Sequence, residues 1–498
     1  AIDASSRGYH TLLLEQADFA KGTSSRSTKL VHGGVRYLQQ GNVSLVLEAL
    51  RERGLLLGNA PHLVHDLPFI VPNYTWWEGP YYGIGLKMYD LLAGRSGFGR
   101  SKHLSKSETI DHIPTIEPDG LDGGVIYYDG QFDDARLAVN MAQTAAEQGG
   151  VLLNYVAVTG LLKKDGEITG VRARDAETGT EYEIAARAVI NATGAFTDTV
   201  RQMDDPNAKP MIVPSQGVHI VLERSFLPGD SAIMVPRTDD GRILFAIPWY
   251  DRVLVGTTDT PVQAPALEPV PLAEEIGFLL RHCARYLTRD PSDEDILSVF
   301  AGIRPLVGSM SEDDETASIS RDHTLHIAGS GLVTIAGGKW TTYRKMAEDT
   351  IDQTALIADL EDRDCVTKTL QIHGYHKHAE EFGPLAVYGS DAPDIQTLMR
   401  DEPALAERLH PDHDVVAAQV VWAARYEGAR AVEDVLARRT RMLLFDARAS
   451  IEMAPTVAAL LADELGRDAA WQKEQVEGYE TLARGYLAPS GISSSSDG

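Results

Sequence analysis

Residues 22–41 read GTSSRSTKLVHGGVRYLQQG and follow a short apolar run, His10 to Glu15, that ends in an acid. Thr23, Ser24, Ser25 and Ser27 supply hydroxyls, Arg26 and Lys29 positive charge, His32 an imidazole, and Gly33-Gly34 a pair of turn-permissive residues. Small hydroxyl residues let the backbone approach a ligand and donate hydrogen bonds to it. Paired glycines permit tight turns, and cations or a helix N-terminus offset phosphate charge. The pattern therefore suits an anionic ligand. The same composition would also serve as a polar cap ahead of the helix expected from Val43.

The preceding strand separates these readings. An apolar strand ending in an acid is how the second strand of a dinucleotide-binding βαβ unit ends, its carboxylate accepting from ribose hydroxyls. Glu15 is the candidate. In such units the acid lies about 20 residues beyond the Gly-rich fingerprint, so the first strand and its glycine turn are expected ahead of Ala1. LLLE followed by DFAKGTSSRSTKLVHGGVRYLQ resembles the FAD-dependent glycerol-3-phosphate dehydrogenases, within the D-amino-acid-oxidase-like flavoproteins. The matching text continues to about the last helix.

That resemblance implies a mixed α/β fold, with a Rossmann-like FAD-binding domain interleaved with an antiparallel-sheet substrate domain and followed by a C-terminal all-α domain. The expected FAD-binding segments are 1–45, 124–210 and 322–350. The substrate domain takes 46–123 and 211–321, the helical domain 370–487, and a Ser-rich disordered tail 488–498.

Composition narrows the function classes. Acids outnumber Lys plus Arg by 72 to 46, a formal net charge of −26 in 498 residues, which disfavours nucleic acid as a partner. Such an excess also fits adaptation to high salt. Cys283 and Cys365 lie far apart and form no metal or redox motif, so no iron–sulfur module is expected, and no metal. No apolar run approaches the roughly 18 residues of a membrane span. Membrane contact is then expected to be peripheral, on the inner face of the cell membrane, with a cytoplasmic location and a homodimer allowed.

Along the chain, 43–60 reads as an amphipathic helix, and the aromatic, Gly-rich run between Trp76 and Arg100 as a core helix or as a membrane-facing or lid segment. GGVIYYDGQFDDARL reads as a strand, a turn at Asp129-Gly130 and a helix opened by Asp133 or Asp134. A hairpin follows, with turn signals at Asp165-Gly166 and Thr178-Gly179. The strand AVINATG then offers Ala192, Thr193 and Gly194 for a second close approach to a cofactor. Alternation in GRILFAIPWYDRVLVGTT argues antiparallel strands. Near the C-terminus, Arg438, Arg439 and Arg441 read as a solvated helix face paired with local Glu.

The resemblance also assigns roles. QGVHIV matches the position of the family's active-site His, making His219 the candidate general base, and Arg304 would polarise the alkoxide and the product carbonyl. Arg36, Tyr37, Arg321 and Lys339 would hold the substrate phosphate. Glu15, Thr23, Ser24, Ser25, Ser27, Lys29, Leu30, His32, Gly33, Gly34, Ala192, Thr193, Gly194, Gly338, Lys339 and Thr341 would contact FAD. The implied reaction is oxidation of sn-glycerol 3-phosphate to dihydroxyacetone phosphate, with electrons passed to a quinone. An oxidase using oxygen, an amine or amino-acid oxidase of the same superfamily, and a non-catalytic binding protein are the alternatives.

Overall fold

Strand-forming alternation in the middle of the chain builds one large sheet, on which the rest is assembled. The computed structural model describes residues 1–34, 42–75, 78–93, 99–308, 323–489 and 491. The ten-stranded sheet runs, edge to edge, Thr260–Pro261, Ile212–Glu223, Arg252–Gly256, Leu244–Trp249, Ala232–Val235, Val64–Asn73, Gly123–Phe132 and Leu30–Val31. Ile296–Val307 pairs along the other side of Ile212–Glu223, and Lys102–Ser105 lies on Gly123–Phe132. Pairing is antiparallel except between Ala232–Val235 and Val64–Asn73.

Both faces of the His219 strand are covered, which explains its nearly continuous burial. Successive side chains of a strand point to opposite faces. Val218, Ile220 and Leu222 pack beneath the helix Ala273–Ala284 through Ile276, Leu279 and Leu280. Val221, with Phe300 and Trp249, packs instead against Val420, Leu436, Leu443 and Met453 of the C-terminal region. His219 and Val221 share a face, so the catalytic candidate points to the side that the C-terminal region covers. Burying each such aliphatic contributes about 1.5–3 kcal/mol.

The Rossmann-like portion consists of two small sheets. Leu12–Leu14 pairs parallel with Val151–Leu153, and Ile190–Asn191 pairs parallel with Val333–Gly337, which continues antiparallel to His323–Ile327. The three-stranded sheet Val156–Lys164, Glu167–Asp175, Glu181–Ala185 forms where turn chemistry predicts it. Asp165 and Gly166 both take positive φ, 53° and 89°, as the tightest hairpin turns require. The C-terminal region is built on the helices Ala417–Tyr426, Ala447–Leu465 and Ala469–Arg484, with one hairpin, Arg408–His410 to His413–Val416, that the all-α expectation omits.

Two further expectations change. Asp129-Gly130 is no turn but lies inside the strand Gly123–Phe132, paired along its length with Val64–Asn73. Local Asp-Gly propensity yields to tertiary bonding: the buried Asp129 carboxylate accepts from Arg53 Nη1 at 2.6 Å and Tyr89 Oη at 2.8 Å. This strand, placed by sequence with the FAD-binding segments, thus belongs to the large sheet. Arg438, Arg439 and Arg441 are not a solvated face either. Each is about 2% exposed or less, and the partners include Asp18, far away in sequence. Among the described residues no helix is long and apolar enough to cross a membrane. The helix Glu78–Ala93 buries Leu86 and Tyr89 while exposing Met88 and Leu91; Trp76, Trp77 and residues 94–98 lie outside the described residues.

Candidate active site

Two glycines clear the ground for the two principal side chains. His219 pairs across the sheet with Gly256, where a Cβ would stand 2.1 Å from the imidazole Cδ2. Gly217, two residues before His219 and on the same face, would place a Cβ 2.4 Å from Arg304 Nη2. The Gly in QGVHIV and the Gly in LVGTTD are therefore required by the side chains that lie over them.

Arg304 sits on Ile296–Val307 opposite Ser215. Its Nη2 donates to Thr258 O at 2.9 Å and Thr257 Oγ1 at 3.2 Å, and Asp259 Oδ1 lies 3.4 Å from Nη1. This frame holds the guanidinium against a cavity of about 140 Å³ lined by Thr23, Arg304, Pro305, Leu306, Gly337, Gly338 and Lys339. Thr23 Oγ1 donates to Ile303 O at 2.6 Å, so the hydroxyl-rich stretch is stitched to the Arg304 strand. The GGKWTT segment closes the third side. Gly337 and Gly338 take φ of 74° and 77°, and Lys339 precedes the turn leading into the helix Tyr343–Ile357. Trp340 Nε1 donates to Ser24 O and Thr341 Oγ1 to His32 O, tying this segment to the first.

His219 is buried and stacks on Phe300, with ring centroids 4.9 Å apart. Burial, followed by the positive charges of Lys29 and Arg304, pushes its pKa well below the ordinary imidazole range. That shift favours the neutral ring, which has a lone pair for a proton. Thr28 Oγ1 meets Nε2 at 2.9 Å, while Nδ1 is buried without a hydrogen-bond partner among the described residues.

The remaining sequence candidates divide. Glu15 ends its strand half-buried, its carboxylate accepting from the Ala17 N–H. Ala192 and Thr193 are exposed, and at Gly194, φ 57°, nothing lies within 4 Å of where a Cβ would be. Gly34 takes φ 77°, and the Gly33 N–H donates to Tyr89 Oη. Leu30 is a buried strand residue facing the apolar cluster of Phe69 and Tyr127. Ser27 and Lys29 turn inward: Ser27 Oγ and Lys29 Nζ each lie 2.7 Å from Asp134 Oδ2, and Lys29 Nζ also donates to Ser25 O. Burial lowers the Lys29 pKa to about 7, with Asp134 opposing the shift. Arg36, Tyr37 and Arg321 lie outside the described residues. His62 and His65 bond Asn140 and Gln131.

Sequence reading gave no site role to Thr28, Asp134 or Arg441. Thr28 sits within the quoted stretch between two chosen residues, and only its contact with His219 singles it out. Asp134 was visible merely as a helix-start acid; it is fully buried, beside the capping residue Asp133.

Comparison with known proteins places this geometry. The family model for FAD dependent oxidoreductases matches residues 1–344, and that for the C-terminal domain of alpha-glycerophosphate oxidase matches 333–474. The mitochondrial glycerol-3-phosphate dehydrogenase of Mus musculus is 41% identical, over 96% of this chain and 70% of its own length. That of Arabidopsis thaliana is 40% identical, over 96% and 82%. The crystal structure of glycerol-3-phosphate dehydrogenase from Bacillus halodurans complexed with FAD superposes with a TM-score of 0.79, at 28% identity, over 98% of this chain and 92% of that one. Agreement on this scale, in sequence and in three dimensions, makes the chain a member of the FAD-dependent oxidoreductase family.

Proposed function

We propose that the chain oxidises sn-glycerol 3-phosphate to dihydroxyacetone phosphate with FAD as the resident cofactor and a quinone as the final acceptor. The observation that carries the reading is the match, along 96% of the chain, to relatives named glycerol-3-phosphate dehydrogenase. The site is compatible with it. Gly194 leaves open room, Gly337-Gly338 bring bare backbone to the cavity, and Thr23 and Lys339 line it. Those residues, with Ala192, Thr193 and Glu15, would hold FAD, which when bound supplies a hydride acceptor.

The protein's own part is proton transfer, orientation and charge. Neutral His219 takes the proton of the secondary hydroxyl. Arg304, fixed by Thr257 and Thr258, stabilises negative charge developing on the substrate oxygen. Lys339, with Arg36, Tyr37 and Arg321, binds the phosphate, Arg by a bidentate fork and Lys as a point charge. A carboxylate-bearing amino acid would use fewer of these cations, which favours the phosphate substrate over an amino-acid oxidase.

Anaerobic addition of glycerol 3-phosphate to the flavin-loaded protein should bleach the absorbance near 450 nm, roughly where oxidised flavin absorbs. A flavin that stays oxidised with glycerol 3-phosphate but bleaches with an amino acid overturns the substrate assignment. Reoxidation by a soluble quinone analogue, faster than by air, tests the acceptor. Peripheral docking on the inner face of the cell membrane goes with the quinone reading; pelleting with vesicles checks it.

A further inference from the structure

We infer that Arg441 of the C-terminal region is a positioning residue for His219, acting through Asp134 and the Ser27–Lys29 turn. The inference rests on His219 being the base proposed above. Arg441 sits in the left-handed region, φ 66°, between the π-turn Asp434–Arg439 and the short helix Met442–Phe445. Arg441 Nη2 donates to Asp134 Oδ1 at 3.0 Å, and Trp249 lies beneath the guanidinium at 5.5 Å. The other carboxylate oxygen, Oδ2, accepts from Ser27 N at 3.0 Å, Ser27 Oγ at 2.7 Å and Lys29 Nζ at 2.7 Å.

Asp134 Oδ1 also accepts from the Ala135 N–H at 2.8 Å, so one oxygen is shared by the C-terminal region and its own helix and the other serves the turn. Between Ser27 and Lys29 stands Thr28, whose Oγ1 lies 2.9 Å from His219 Nε2. The turn has little freedom: Lys29 takes φ 62°, and Lys29 and Asp134 are both fully buried. A shift of the carboxylate therefore moves the Thr28 hydroxyl. With Nδ1 unpartnered, that hydroxyl is the only polar side-chain contact holding the His219 ring among the described residues. The C-terminal region covers this face of the sheet, so its arginine reaches the reacting side of the fold with the position of one ring as its output.

The test compares Arg441→Lys, which keeps the charge beside Asp134 but lacks the fork, with Thr28→Val and with the double variant, all in the flavin-loaded protein. Each single change should lower kcat about 10-fold, as small misplacements of reacting groups do, with KM for glycerol 3-phosphate within about twofold. The double variant should lose no more than the worse single, because both act through one ring. Losses that multiply, or Arg441→Lys with unchanged kcat, overturn the inference. Nitrogen-15 NMR of the histidines, with His219 assigned by His219→Gln, gives a reading free of turnover. Both single variants should move the His219 Nε2 resonance, and a response to Thr28→Val alone refutes the link. Wild-type protein that fails to oxidise glycerol 3-phosphate defeats the functional reading instead, while the NMR comparison still decides this one.

Discussion

Within residues 22–34 the same residue types serve two opposite purposes. Thr23 faces a cavity that Arg304 and Lys339 also line, whereas Ser27 and Lys29, a few residues on, are consumed by Asp134 in the interior. Further in, Asp18 holds Arg438 and Arg439 at 2.5–2.9 Å in a fully buried clasp. Burial alone would raise the Asp18 pKa, but Arg439 and Arg438 outweigh it and keep the carboxylate ionised. A hydroxyl-and-cation run thus marks charge to be met, and only the fold decides whether ligand or protein meets it. Clasp variants should cost stability and cavity variants turnover.

The sharpest attack on that division is Asp18→Ala. It takes the shared carboxylate from two buried guanidinium groups, leaving Arg438 with Glu433 and Asp434 and Arg439 with Glu427, and removing one partner of a buried pair costs about 3–5 kcal/mol; denaturant unfolding should show the loss. Preserved stability would mean the clasp relaxes into water. Arg304→Ala should do the reverse, lowering kcat/KM about 10²- to 10³-fold while the melting temperature barely moves. Gly256→Ala probes the boundary, since its methyl would displace the His219 ring. Steady-state kinetics should show kcat down about 10-fold or more, with flavin still bound.

The smallest effect comes from His373, which links Glu147 of the helix Asp134–Glu147 to Asp391. Burial opposes protonation here, but hydrogen bonds donated to Asp391 and Glu147 raise the pKa to about 9. A group with a raised folded-state pKa stabilises fully below its unfolded value, near 6.5 for His, and loses that contribution as pH climbs through 9. His373→Gln should therefore cost about 1 kcal/mol at pH 6, after allowance for solvent screening, and almost nothing at pH 10. Melting curves at the two pH values check it.

The alternation through 242–258 and the hairpin turn at Asp165-Gly166 were legible because local pattern and final structure agree. The two motifs flanking the cavity, around Thr23 and around Gly338, were legible for the same reason: loop chemistry is local. What stayed hidden depends on partners remote in the chain. Asp129-Gly130 looks like a turn until Arg53 and Tyr89 are brought to it, and Arg438, Arg439 and Arg441 look like surface until Asp18 and Asp134 arrive. Lys29 carried the right charge for a ligand, and no periodicity could say that an acid at position 134 had already taken it.

The Asp18–Arg438 bond spans 420 residues of chain, and this fixes an order of events during synthesis. At about 5–20 residues per second, roughly 20–80 s pass on the ribosome between the emergence of one partner and the other. Throughout that interval Asp18 lacks Arg438, and Asp134 waits for Arg441 across 307 residues, roughly 15–60 s at the same rate. The stretch carrying the hydroxyls can reach its final shape only when translation has passed residue 441, so a prematurely terminated chain keeps its motif but not its geometry.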